Sequence, residues 1–104
     1  MAQISNPFVA NVTKVLSVGE LAQAIRVDIA GEMEAIIGYE AHAAATNDER
    51  AKKVLLHIAD EERQHVGELQ QLLTVFSLAD SEWMDKGKAA VQQQQASNFQ
   101  APLS

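Results

Sequence analysis

Two stretches of this chain carry side chains at alternating spacings of four and three residues, and that pattern limits the fold more than any other feature. The first runs Ile25, Ile29, Glu32, Ile36, Tyr39, Ala43; the second runs Ala51, Leu55, Ile58, Glu62, His65, Leu69, Leu72, Phe76. Only an α-helix brings such positions into one line, and lines this long are the seams of bundle helices. Start signals agree with the periodicity. "SVGE" at 17–20 has the form of a capping box, in which Ser17 and Glu20 satisfy each other's backbone donors. "ATNDE" at 45–49 breaks the pattern and offers Thr46 with Glu49 as a second box. Two long helices are predicted, to about Ala45 and about Ser77, and the short link makes them antiparallel neighbours in a hairpin.

The flanking segments are simpler. Residues 1–16 form an N-terminal arm of loosely spaced apolar residues with Pro7. "SLADSEWMDKGKAAVQ" reads as a shorter third helix, capped by Ser77 or Asp80 and interrupted at Gly87. The helical unit therefore spans 17–92. Residues 93–104, rich in Gln and low in complexity, read as a flexible tail. The predicted class is all-α: a two-helix hairpin with a short C-terminal helix.

Three ionisable residues interrupt the two seams. Glu32 sits between Ile29 and Ile36, and Glu62 and His65 between Ile58 and Leu69. A carboxylate removed from water without a partner costs several kcal/mol, so such positions need a cation, a proton or a partner. The spacing Glu62-x-x-His65 places both side chains on one helical face about a turn apart, where they converge on one ion. One Glu from one helix and a Glu-x-x-His from the next make half of a di-iron carboxylate site of the kind four-helix bundles build. The remaining half is absent from this chain. Two hairpins meeting about a two-fold axis supply it, with four carboxylates balancing two divalent cations. The competing reading is a polar layer that sets register in an ordinary bundle. A second is a module that takes up Mn, Zn or Fe without turnover, because the same donors accept all three.

Bulk properties narrow the function further. The 104 residues, 47% hydrophobic and 21% charged, are one small globular domain's worth. The absence of cysteine excludes thiolate metal sites, disulfides and thiol nucleophiles, so any metal is held by oxygen and imidazole. A formal charge of -6 with scattered Lys and Arg argues against nucleic acid as a partner. Apolar runs are far short of the ~20 residues that cross a bilayer, and the N-terminus lacks the leader of a secreted protein. The expectation is a cytoplasmic protein with neither nucleic-acid nor membrane partners.

The stretches "AIRVDIAGEMEAIIGYEAHAAAT" and "VLLHIADEERQHVGELQQLL" resemble the encapsulated ferritins, short ferritin-like proteins carried as cargo inside encapsulin nanocompartments. The similarity covers about residues 17–95, with Glu32, Tyr39, Glu62 and His65 in the family's order. It implies a ferroxidase whose di-iron site lies between two chains, with Glu32, Glu62 and His65 on the iron and Tyr39 beside it. It also implies a homodimer forming a ferritin-like four-helix bundle, rings of such dimers that are often decameric, and an encapsulin shell as partner and location. Glu34 stands for part of the family's outer acidic site for incoming iron. Gly31 and Gly38 depart from the family pattern there. Cargo of this family carries a shell-docking peptide at the C-terminus. Phe99 and Leu103 are the candidate anchors, although "SNFQAPLS" lacks the usual aliphatic-Gly-Ser-Leu character. His57 with Glu61 reads as a solvated surface pair, and Met33 as an ordinary helix methionine.

Overall fold

The computed structural model describes residues 14–98 and consists, among them, of three helices: α1 (Val18–Ala44), α2 (Glu49–Phe76) and α3 (Leu78–Asn98). The N-terminal arm up to residue 13 and the candidate anchors Phe99 and Leu103 lie outside the described residues.

Helix α1 starts where the sequence places it. The Glu20 backbone N–H donates to Ser17 Oγ at 3.1 Å, and the Ser17 N–H donates to Glu20 Oε1 at 3.0 Å. The Lys14 ammonium, 2.8 Å from Glu20 Oε2, together with these bonds lowers the Glu20 pKa to about 2. Helix α2 starts differently from expectation. Its cap is Asp48, whose carboxylate accepts from the N–H groups of Arg50 at 2.9 Å and Ala51 at 3.2 Å. Thr46 instead stabilises the turn by accepting from the Asp48 N–H at 3.1 Å. A carboxylate suits this position better than a hydroxyl, because it satisfies two orphan donors and faces the positive end of the helix dipole.

Packing of α1 follows the predicted seam: Ile25 and Ala43 are buried, and Ile29, Glu32, Ile36 and Tyr39 are half-buried. The α2 seam is corrected. Its buried residues are Ala59, Val66 and Leu73, with Leu55, Glu62, Leu69 and Phe76 half-buried beside them. The line facing α1 is therefore turned by roughly half of one residue's 100° step from the predicted one. Leu55, Glu62, Leu69 and Phe76 belong to both lines. His65 and Leu72 fall on the outer edge of the hairpin, where Leu72 is 41% exposed. Sequence spacing could not separate the two lines because α2 is apolar along both.

Helix α3 is also longer and more regular than predicted. It runs unbroken through Gly87 and the Gln run to Asn98. Gln is a good helix former, and one Gly costs a helix only about 1 kcal/mol. Ser77 is the lone residue between α2 and α3, and its Oγ accepts from the Asp80 N–H at 3.2 Å. The first turns of α3 are tied to the hairpin through an Arg26–Asp80 ion pair. From Asp85 to Ala96 every residue is exposed.

The core is thin: no large side chain among the described residues is fully buried. The radius of gyration is 17.8 Å, against about 13 Å for a compact domain of 100 residues. Exposed Met33, Ile37, Val54 and Leu72 leave apolar surface on both sides of the hairpin. The shape is that of a component with packing still to be completed.

Candidate metal centre

The antiparallel hairpin brings Glu32 of α1 opposite Glu62 and His65 of α2, near the middle of both helices. His65 Nδ1 lies 2.6 Å from Glu32 Oε2 and 3.2 Å from Glu62 Oε1. One donor atom from each residue lies within 4.8 Å of the other two, which is a span one metal ion can bridge. The carboxyl groups are the sheltered members, with side chains 24% (Glu32) and 16% (Glu62) exposed, and His65 is half open at 49%.

Electrostatics at the three residues reflects crowding. The Glu62 pKa is raised, first by loss of solvent and then by the neighbouring Glu32 carboxyl, while His65 partly offsets both. The His65 pKa is raised by its hydrogen bond to Glu32, with added attraction from Glu62 and Glu68, against a smaller desolvation effect. Both shifts favour the protonated forms of Glu62 and His65, at positions where a divalent cation would neutralise the same oxygens. The donor set of two carboxylates and an imidazole fits iron, manganese or zinc, and excludes ions that demand thiolate. Three donors leave coordination positions open for further ligands.

Among the other predicted site residues, Tyr39 is half-buried on the same face of α1, two turns from Glu32, and no group among the described residues hydrogen-bonds its hydroxyl. Glu34 does not join the cluster. It is exposed, and two residues along a helix from Glu32 it points to nearly the opposite side. His57 Nε2 and Glu61 Oε2 stand 3.6 Å apart as an exposed pair, 71% and 56% accessible, without a third donor.

Two residues near the cluster were missed from sequence. Arg63 bridges the helices beside the site, paired with Glu40 of α1 and, at 3.0 Å, with Asp60. The opposite charges were visible in the sequence, but only the hairpin register aligns them. Asp28, one turn before Glu32, has its pKa raised by desolvation and by Glu32. Its i, i+4 spacing from Glu32 was the available signal.

Comparison with known proteins identifies the fold and the family. The family model described as "Ubiquinone biosynthesis protein COQ7" matches residues 19–83, which contain the whole cluster. The chain is 42% identical over 69 residues to an encapsulin nanocompartment cargo protein, EncC, of Myxococcus xanthus, covering 66% of this chain and 53% of that protein. It is 41% identical over 68 residues to a ferritin-like-encapsulin shell fusion protein of Pyrococcus furiosus, covering 65% of this chain and 20% of that one. The chain thus spans about half of the first relative and a fifth of the second. The crystal structure of an encapsulated ferritin domain from Pyrococcus furiosus superposes with a TM-score of 0.70 and 34% identity, over 88% of this chain and 90% of that one. With sequence and fold in agreement, the chain belongs to the encapsulated ferritins, within the ferritin-like proteins.

Proposed function

We propose that the chain is a ferroxidase, oxidising Fe(II) to Fe(III) at a di-iron site shared by two copies, as cargo in the lumen of an encapsulin nanocompartment. The observation that carries the reading is the convergence of Glu32, Glu62 and His65 within 4.8 Å on a hairpin that supplies only half of a di-iron ligand set. Iron is the substrate. Two chains contribute four carboxylates and two imidazoles, and the charge of two Fe(II) ions balances the carboxylates.

Glu32 and Glu62 suit a metal whose charge rises during the reaction, because carboxylates favour the harder ferric ion. His65 binds as the neutral imidazole, so iron competes with the proton that the hydrogen bond to Glu32 favours on it. Each Fe(II) gives up one electron. With dioxygen as acceptor, two electrons and two protons leave as hydrogen peroxide. Tyr39, on the same face of α1, would serve beside the iron pair by hydrogen-bonding one of its ligands. Glu34, exposed on the outer side of α1, belongs to the path by which iron arrives.

The encapsulin shell as partner follows from the Myxococcus relative, named as nanocompartment cargo, and the Pyrococcus relative, named as a fusion to the shell. No helix among the described residues is long and apolar enough to cross a membrane.

Aerobic addition of Fe(II) to the purified oligomer tests the reading. A ferric absorbance rise that Glu32→Ala and His65→Ala each slow by at least about a hundredfold is the expected outcome. Stoichiometric metal uptake without oxidation replaces the enzyme with a metal-binding module.

A further inference from the structure

The imidazole of His65 has two nitrogens, and the cluster uses one of them. Nδ1 lies 2.6 Å from Glu32 Oε2 and 3.2 Å from Glu62 Oε1, so it is the atom that meets an ion held by these carboxylates. Nε2 lies on the far edge of the ring, and no group among the described residues bonds it. A neutral imidazole that gives Nδ1 to a metal carries its proton on Nε2. That proton needs an acceptor. A hydrogen bond at the second nitrogen fixes the tautomer, holds the ring's orientation and raises the basicity of the first.

Helix α2 offers the acceptor. Four residues stand one turn from His65 along it: Glu61 and Glu62 before, Glu68 and Leu69 after. Glu62 is already engaged on the Nδ1 side, Glu61 stands 3.6 Å from His57, and the Leu69 side chain accepts nothing. Glu68 remains. Side chains of a helix lean toward its N-terminus, so a residue after His65 leans back over it while one before it leans away. Glu68 does lean back, and its Oε2 accepts from the Gln64 amide at 3.4 Å. Its other oxygen, Oε1, has no partner among the described residues.

His65 already feels this carboxylate in the metal-free chain. Its pKa, raised first by the hydrogen bond to Glu32, is raised further by the attraction of Glu62 and Glu68. Across the hairpin, Asp28 of α1 acts on Glu32 and not on His65, so α1 supplies no rival acceptor. Glu68 and Gln64 are both exposed, and only their place relative to His65 separates them from ordinary surface residues.

Resting on the reading that Glu32, Glu62 and His65 bind metal, we infer that Glu68 is a positioning residue of the centre. Its Oε1 accepts from Nε2–H of His65 when Nδ1 is on the ion, while Gln64 holds Oε2. The carboxylate also sets a negative charge behind the imidazole, which favours an ion whose own charge rises.

Zn(II) is the probe, because it takes the same donors, has no redox chemistry and is diamagnetic. The site is defined as the Zn(II) binding that His65→Ala abolishes in titration calorimetry of the full chain. Glu68→Ala is expected to weaken that binding about ten- to hundredfold. Glu68→Gln weakens it less, because the amide oxygen still accepts, and Glu82→Gln on α3 leaves it unchanged. Nitrogen-15 NMR of histidine-labelled, Zn(II)-loaded protein supplies the readout that lost charge alone does not move. The wild type shows His65 protonated at Nε2, with that proton protected from exchange, and in Glu68→Ala the protection is lost. Equal affinities in wild type and Glu68→Ala, equal weakening by Ala and Gln, or a proton on Nδ1 with the metal on Nε2 each overturn the proposal while the metal centre stands. A wild type without Zn(II) at the site overturns the metal reading and the proposal together. The expected Zn(II) pattern without iron oxidation supports Glu68 and removes the ferroxidase reading.

Discussion

At the scale of residues, folding favours the protonated forms of Glu62 and His65, and this sets the direction of their response to pH. A histidine raised on folding contributes stability that is complete below its unfolded value, near 6.5, and is lost as pH rises through the folded value. Glu62, also raised, keeps its proton preferentially in the fold, so its contribution likewise falls as pH rises through the carboxylate range and above. Glu20 and Asp48 are lowered, and what they contribute is lost only on acidification. The melting temperature of metal-free protein, followed by circular dichroism, therefore falls between about pH 5 and pH 8, and a divalent cation removes most of that slope. Glu62→Gln raises the metal-free melting temperature at pH 8 and abolishes stabilisation by metal. A metal-free melting temperature that climbs through this range contradicts the account. The three ligands were legible in the sequence because each breaks an apolar line. Arg63 was not, since a single charge on a helix surface carries no such signal until a neighbouring helix fixes what it faces, and Asp28 offered only its i, i+4 spacing from Glu32.

At the scale of elements, local chemistry decided where helices begin, and packing decided which faces meet. Ser17 and Glu20 were readable because the reciprocal capping bonds need those residue types at that spacing. The start of α2 was misassigned to Thr46 because Asn47 and Asp48 are equally good cap types, and the carboxylate of Asp48 wins by accepting two N–H groups. Asp48→Ala accordingly destabilises the protein by about 1 kcal/mol, whereas Thr46→Ala costs less than half of that, as chemical denaturation measures. The two lines of α2 could not be told apart because Ile58, His65 and Leu72 repeat the period of Ala59, Val66 and Leu73 one position earlier. The regular course of α3 past Gly87 is a case of several good helix formers outweighing one poor one.

At the scale of the whole molecule, a thin core, an extended outline and a half-complete ligand set are one fact seen three ways. Two helices cannot enclose their own apolar faces, so the hairpin leaves surface on both sides, and the face bearing the site carries the polar groups that need a partner most. The all-α hairpin was legible because periodicity and caps are local. The proposed second chain was legible only as a deficit in the ligand count, since a missing ligand leaves no local pattern of its own. Anaerobic titration of Fe(II) into metal-free protein at concentrations where it is monomeric, with sedimentation velocity at each step, tests the shared site most directly. The account predicts that uptake ends at one iron per chain, that the dimer appears in step with it, and that Glu62→Ala removes both. Tight binding of iron to a species that stays monomeric throughout contradicts it.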